Sequence, residues 1–187
     1  MAKKRGLEHG DVVRAGFAVL DRAGVNGVSL KAVADLLEVQ PPSLYSHVAG
    51  HAGLLDDLAL AARTDFGDIL RTAAIGVAGD DAVRSFARAY RQWALDHPGR
   101  YELTLRSVDR PESRAAGIGA VETMDAVLAH YGLADRDARR AGRALRASLH
   151  GFVSLQSADA LGRGDHDASF EALVDLFLAG LHRHPPE

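Results

Sequence analysis

The sequence predicts an all-α chain: a three-helix N-terminal head joined to a longer helical bundle, about nine helices in all. Three observations carry this. Apolar residues recur at helical spacing from end to end, and no run alternates as a strand would. Glycines and prolines punctuate that pattern with helix stops and starts. Hydrophobic residues make up 47% of 187, enough to fill a substantial core.

The first helix is expected over Gly10–Ala23, with Val12, Val13, Phe17 and Leu20 as its stripe and Gly24 as its stop. Ser29 is a good N-cap for the second, whose inner face is Leu30, Val33, Ala34 and Leu37. Pro41-Pro42 opens the third, where a missing N–H costs nothing. Gly50 breaks the chain before a fourth helix over Ala52–Ile75, dense in leucine in its first half.

After a loop at residues 76–79, Asp80 caps a fifth helix that runs to Asp96 and is ended by His97-Pro98-Gly99. A short sixth covers Arg100–Ser107. Asp109-Arg110-Pro111-Glu112 starts a seventh that reaches Tyr131, where Gly132 stops it. The eighth runs from Asp135 to about Leu161. The ninth, after the Gly162-Arg163-Gly164-Asp165 turn, covers Ala168–Arg183 and leaves a frayed His184-Pro185-Pro186-Glu187 tail.

The chain has no cysteine, which excludes disulfide and thiolate chemistry. The Met1-Ala2-Lys3-Lys4-Arg5 start has no apolar stretch behind it, and no later run is long enough to span a bilayer. A cytoplasmic protein without a membrane partner is therefore expected. Net charge is −3, which by itself opposes nucleic-acid binding. The distribution matters more. Residues 1–51 hold six Lys/Arg against five Asp/Glu, while the remainder holds sixteen against twenty. A near-neutral head with a basic arm can meet phosphate while an acidic body turns away from it.

Val33, Leu37, Val39, Leu44 and Val48 can form the apolar triangle that fixes two short helices at an angle. Polar residues then lie exposed at the start of the second, the end that enters a major groove. Gln40, Pro41, Ser43 and Ser46 are placed to face base edges, with Lys31 able to donate to guanine or phosphate. Tyr45 and His47 have polar tips suited to phosphate oxygens, and Lys4 and Arg5 extend the basic arm. His51 stands at a helix N-terminus, where unpaired N–H groups favour an anion. The implied partner is duplex DNA. A helical hairpin with ordinary surface polar residues is the competing reading.

Residues 7–58 resemble the DNA-binding domain of the TetR family of one-component repressors. The likeness lies in Val25-Asn26-Gly27-Val28-Ser29-Leu30-Lys31-Ala32-Val33-Ala34, in Val39 through Val48 with its Leu44-Tyr45 and His47, and in Leu54-Leu55. It implies that Lys31 stands where the founding repressors carry a base-reading Arg, and that Gln40, Pro41, Pro42, Ser43, Tyr45 and His47 lie on the reading helix. Three positions depart from the pattern: Ser46 for Trp or Tyr, Pro41 for a more polar reader, and His51 for a phosphate-binding Lys. Trp93, His97-Pro98, Tyr101 and His150-Gly151 resemble a C-terminal subtype of the same family.

The resemblance implies a body that binds a small effector and pairs two subunits through the eighth and ninth helices. Phe170, Leu173, Val174, Phe177 and Leu181 make a wide apolar stripe on the ninth. Leu149, Phe152, Val153 and Gln156 lie on one face of the eighth. These are the expected homodimer residues, with closure of the monomer core as the alternative. Phe86, Tyr90, Trp93 and Tyr101, faced by Met124 and Leu128, form the expected pocket for a mainly apolar effector, joined by His150 of the His-Gly pair. A packed core is the alternative there too.

The expected division is a DNA-binding domain over 1–51 and an effector and dimerisation domain over 52–187. The expected function is a ligand-responsive repressor on a palindromic operator. No cofactor, metal or catalytic residue is expected. Gly117 and Gly119 follow no strand, and neither His47 with His51 nor His182 with His184 gives three convergent ligands. A helical-bundle enzyme acting on a small apolar molecule, or a helical adaptor that binds no DNA, are the other readings.

Overall fold

The computed structural model describes residues 6–183. Lys4, Arg5 and the tail from His184 lie outside the described residues. Among those described there is no strand. The helices are α1 His9–Ala23, α2 Leu30–Leu37, α3 Gly50–Ala74, α4 Gly79–Asp96, α5 Pro98–Thr104, α6 Glu112–Leu128, α7 Asp135–Ser157 and α8 His166–His182. Short 3-10 turns occupy Val25–Gly27, Pro41–Leu44 and Ala129–Tyr131. No described helix is long and apolar enough to cross a membrane.

Several ends follow the expected chemistry. Ser29 Oγ accepts from the Ala32 N–H at 3.1 Å and starts α2. Asp165, expected in a turn, caps α8 by accepting from the N–H groups of Asp167 and Ala168 at 2.9 Å each. Other ends differ. Pro98 does not merely end α4. With φ already fixed it becomes the first residue of α5, and the Tyr101 N–H reaches the His97 carbonyl at 2.8 Å. The helix expected to run to Leu161 stops at Ser157, and Asp159 turns left-handed with φ 53°.

The expected third helix is a 3-10 turn followed by bends. Ser43 N–H bonds to the Gln40 carbonyl at 2.9 Å and Tyr45 N–H to Pro42 at 3.3 Å, both i to i−3. Pro41 and Pro42 supply no donors, and Pro42 disfavours α geometry at the residue before it.

Packing divides the chain into two compact units. The first joins the chain up to Thr64 with His97–Ala116; the second joins Asp65–Asp96 with Gly117–Glu187. The reason is burial. Leu54 and Leu58 of α3 are fully buried in one cluster with Val12, Leu20, Val33 and Leu44, and Leu103 and Val108 complete it. Each such side chain contributes about 1.5–3 kcal/mol when removed from water. Gly16 lets α1 and α3 meet, since a Cβ there would stand 2.9 Å from a Leu58 methyl.

In the second unit α4, α7 and α8 pack on one another. Their inward faces are Val83, Phe86 and Tyr90; Leu145, Leu149 and Val153; and Phe170, Val174, Leu178 and Leu181, all buried. The last third of α3 meets α6 backbone to backbone. A Cβ on Gly67 would lie 3.1 Å from the Ala120 nitrogen.

Candidate nucleic-acid interface and effector region

In the first unit, α2, the Glu38 turn and the Pro41–Leu44 segment form a hairpin. Glu38 takes a left-handed φ of 55°, and the Val39 N–H bonds to the Ala34 carbonyl at 3.0 Å. Leu44 and Val48 point inward and are buried. That fixes what remains outside. Gln40, Pro42, Ser43, Tyr45 and Ser46 are exposed, with Tyr45 63% accessible, while Pro41 and His47 are half-buried. Ser46 Oγ donates back to the Ser43 carbonyl at 3.0 Å, which holds the turn after the 3-10 segment.

Lys31 is exposed on α2, with its ammonium 2.6 Å from Asp35. An exposed pair one helical turn apart is worth a few tenths of a kcal/mol, so a phosphate can compete for that lysine. His51 stands in the first turn of α3, as expected. Its Nε2 meets the Val28 carbonyl at 2.9 Å. The ring thereby fastens the first turn of α3 to the chain just ahead of α2.

A polar clamp in this unit was not expected. The Arg63 guanidinium donates to the Thr104 carbonyl at 3.0 Å, to Ser113 Oγ at 2.8 Å and to the Arg106 carbonyl. Arg106 pairs with Asp56 at 2.8 Å, and Arg110 pairs with Asp57. These contacts bind the segment after α5 to the first half of α3. Partners some 40 to 57 positions apart leave no periodic trace in a sequence.

In the second unit Phe86, Tyr90 and Trp93 are buried on one face of α4. They meet a residue that was not expected. Phe66 of α3 lies 4.9 Å from Tyr90 and 4.8 Å from Trp93, ring centre to ring centre. Trp93 Nε1–H donates to Asp65 at 3.3 Å. The signal for Phe66 was present: Leu58, Ala62, Phe66 and Leu70 recur every fourth residue and all are buried. The rings fill one another's space rather than line a wall.

The remaining expected effector residues do not all join them. Tyr101 belongs to the first unit, on α5. Met124 and Leu128 of α6 pack where Gly142 of α7 has no side chain. His150 is half-buried on α7, its Nδ1 3.5 Å from Ser154 Oγ.

Part of the expected subunit-interface set closes the chain's own core, the alternative the stripe left open. α7 and α8 correspond to the eighth and ninth expected helices. Leu149, Val153, Phe170, Val174 and Leu181 are buried within the chain. Phe152 meets Phe170 edge-on at 5.2 Å between ring centres, and Gln156 accepts from Arg91 at 2.9 Å. Phe152, Gln156, Leu173 and Phe177 keep partial exposure. A wide stripe on a terminal helix serves two surfaces, and its centre goes to the nearer one, the helix's own core.

One further cluster is polar. Tyr131 hydroxyl donates to Asp80 at 2.7 Å, and His182 Nε2 reaches the same carboxylate at 3.0 and 3.1 Å. The tyrosine hydrogen bond, then the histidine one, holds Asp80 below the usual carboxylate range, and burial pushes the Tyr131 hydroxyl up. No group of three or more potential metal ligands occurs among the described residues.

An all-α chain that presents an exposed polar rim on a buried helix-turn-helix core, ahead of a helical body, has the construction of a helix-turn-helix transcriptional regulator. A family model described as the tetracyclin repressor-like C-terminal domain matches residues 83–177. An uncharacterized HTH-type transcriptional regulator of Mycobacterium tuberculosis is 36% identical, covering 98% of this chain and 85% of the relative. Another, of Bacillus subtilis, is 34% identical over 97% of this chain and 96% of its own length. The structure is similar to that of TetR from Acinetobacter baumannii in complex with minocycline, with a TM-score of 0.73 and 26% identity over 95% of this chain and 98% of that one. The chain belongs to the TetR family of helix-turn-helix transcriptional regulators.

Proposed function

We propose that the protein is a ligand-responsive repressor that binds a palindromic operator as a homodimer and leaves it when a small, mainly apolar effector binds. In this reading it acts in the cytoplasm, uses no cofactor and performs no chemistry. The observation that carries the DNA half is the separation of roles around residues 40–48. Leu44 and Val48 are spent on the core, while the side chains of Gln40, Ser43 and Tyr45 lie exposed together beside Ser46. Gln40 reads a base edge, Tyr45 and His47 hold phosphate, and Lys31 adds charge, with Lys4 and Arg5 as the basic arm.

Two heads need a two-fold axis to meet successive half-sites. The faces of α7 and α8 turned away from the core supply one. Leu155 is 48% and Leu176 74% exposed, beside the small residues Gly151, Ala172, Ala179 and Gly180, with Leu173 and Phe177 at the margin. Small residues let helices of two copies approach closely. The effector enters among Phe66, Phe86, Tyr90 and Trp93, parting rings that now touch. Phe66 rides on α3, and the same helix carries Leu54 and Leu58 of the first unit. A ligand that displaces Phe66 therefore acts on the helix to which the reading head is built. Release requires that it bind the displaced arrangement more tightly than the resting one.

Selection of bound duplexes from a random pool tests the DNA half and yields the operator. The expected result is a palindrome, and Gln40→Ala is expected to change the base chosen at one position per half-site. A selected operator that is the same for wild type and Gln40→Ala would remove Gln40 from the reading role. No enrichment at all would remove the DNA reading itself.

A further inference from the structure

Two helices of the second unit carry rows of arginine, and only one row is answered. On α4, Arg91 pairs with Asp167 at 2.7 Å and Arg84 with Asp175 at 2.6 Å. Between them Arg88 grips Glu171 through Nε and Nη2 at 2.7 and 2.8 Å. The carboxylates stand one turn apart on α8. On α7, Arg136, Arg139, Arg143 and Arg146 are all exposed, at i, i+3, i+7 and i+10. That spacing sets them on one side of the helix over about 15 Å. Among the described residues none of the four meets a carboxylate. Arg140 beside them has Asp137 at 2.9 Å. Like charges a turn apart repel. Nor does the row follow from a general excess of cations, because the chain's net charge is −3.

We propose that this arginine row is a docking surface for an acidic protein helix whose carboxylates recur about once per turn. Charge complementarity within the molecule argues for that occupant. The α4 row has nearly the same spacing, and what lies against it is a helix with Asp or Glu at i, i+4 and i+8. The planar guanidinium fork matches a carboxylate with two hydrogen bonds at once, as Arg88 does with Glu171. Clusters of arginine reading acidic motifs are a recurring mode of peptide recognition. The surface is independent of the DNA rim and of the aromatic cluster.

The test is fluorescence anisotropy at low ionic strength with a labelled alanine-based helical peptide carrying glutamate at every fourth position. The full chain is compared with its Arg139→Glu/Arg143→Glu double variant, with sedimentation as the check on assembly. The peptide is expected to bind the wild type, to weaken as salt rises, and to lose about tenfold or more with the double variant; its glutamine counterpart is expected not to bind. No binding by the wild type, or equal binding by both proteins, overturns the proposal. A random-sequence duplex held more tightly than the peptide, and released by the same reversal, reassigns the row to nucleic acid. A double variant of smaller sedimenting size reassigns it to contact between copies. Should charge reversal disturb folding, Arg139→Gln/Arg143→Gln carries the same comparison.

Discussion

The two units of this chain handle functional side chains in opposite ways. In the first, the core is closed by Val12, Leu20, Val33, Leu44, Leu54 and Leu58, and the polar rim from Gln40 to Ser46 lies outside it. In the second, the aromatic residues proposed to meet an effector are themselves the core. Phe86, Tyr90 and Trp93 are each at most 5% exposed. Function and stability are therefore separable in the first unit and shared in the second. A regulator has reason for both. A reading surface must keep its shape, whereas a sensor must be able to change it, and a core whose packing energy a ligand can replace is one way to do so.

The comparison can be broken most forcefully through assembly. Leu176→Glu places a charge on the outward face of α8 without touching either core. Sedimentation is expected to show monomers, and operator affinity to fall about 10²- to 10⁴-fold as the two heads lose their linkage. A variant that remains dimeric moves the interface off α8.

A smaller effect separates the cores. Phe66→Ala removes the ring between Tyr90 and Trp93 and is expected to cost about 3–5 kcal/mol in denaturant unfolding. Gln40→Ala, on the exposed rim, is expected to stay within about 0.5 kcal/mol of wild-type stability. It should cost about 1–3 kcal/mol in operator binding instead. Equal stability losses in the two variants would dissolve the distinction between the units.

The smallest effect is electrostatic. The Arg88 hydrogen bonds hold the Glu171 carboxyl below its ordinary value. A carboxylate whose folded value is depressed contributes stability above its unfolded value and loses it as pH falls through the folded one. Urea midpoints taken from pH 7 down through pH 4 to pH 3 are expected to fall more in wild type than in Glu171→Gln. The difference is small, because the pair is largely exposed and salt screens it.

What could be read from the sequence divides along physical lines. Helix order, the Ser29 cap and the apolar triangle were legible because periodicity and capping are local. The 3-10 form of the reading segment was not, because Pro41-Pro42 reads equally as the start of an α-helix. The clamp by Arg63 was invisible, since its partners lie on α5, the following loop and α6. The division of α7 and α8 between core and partner stayed open for a different reason. A wide stripe shows that a helix is buried on a broad arc, not which part of the arc belongs to its own chain.

Trp93 is the one tryptophan in the sequence. Its indole is buried against Phe66, with its N–H directed at Asp65. Its emission, excited selectively at wavelengths tyrosine does not absorb, is thus a private channel of the second unit. Its red shift on denaturation marks the moment that core opens and is silent about the head, while far-ultraviolet ellipticity averages both. Two melting curves recorded in one cuvette then show at once whether the sensor and the reader come apart together or in sequence.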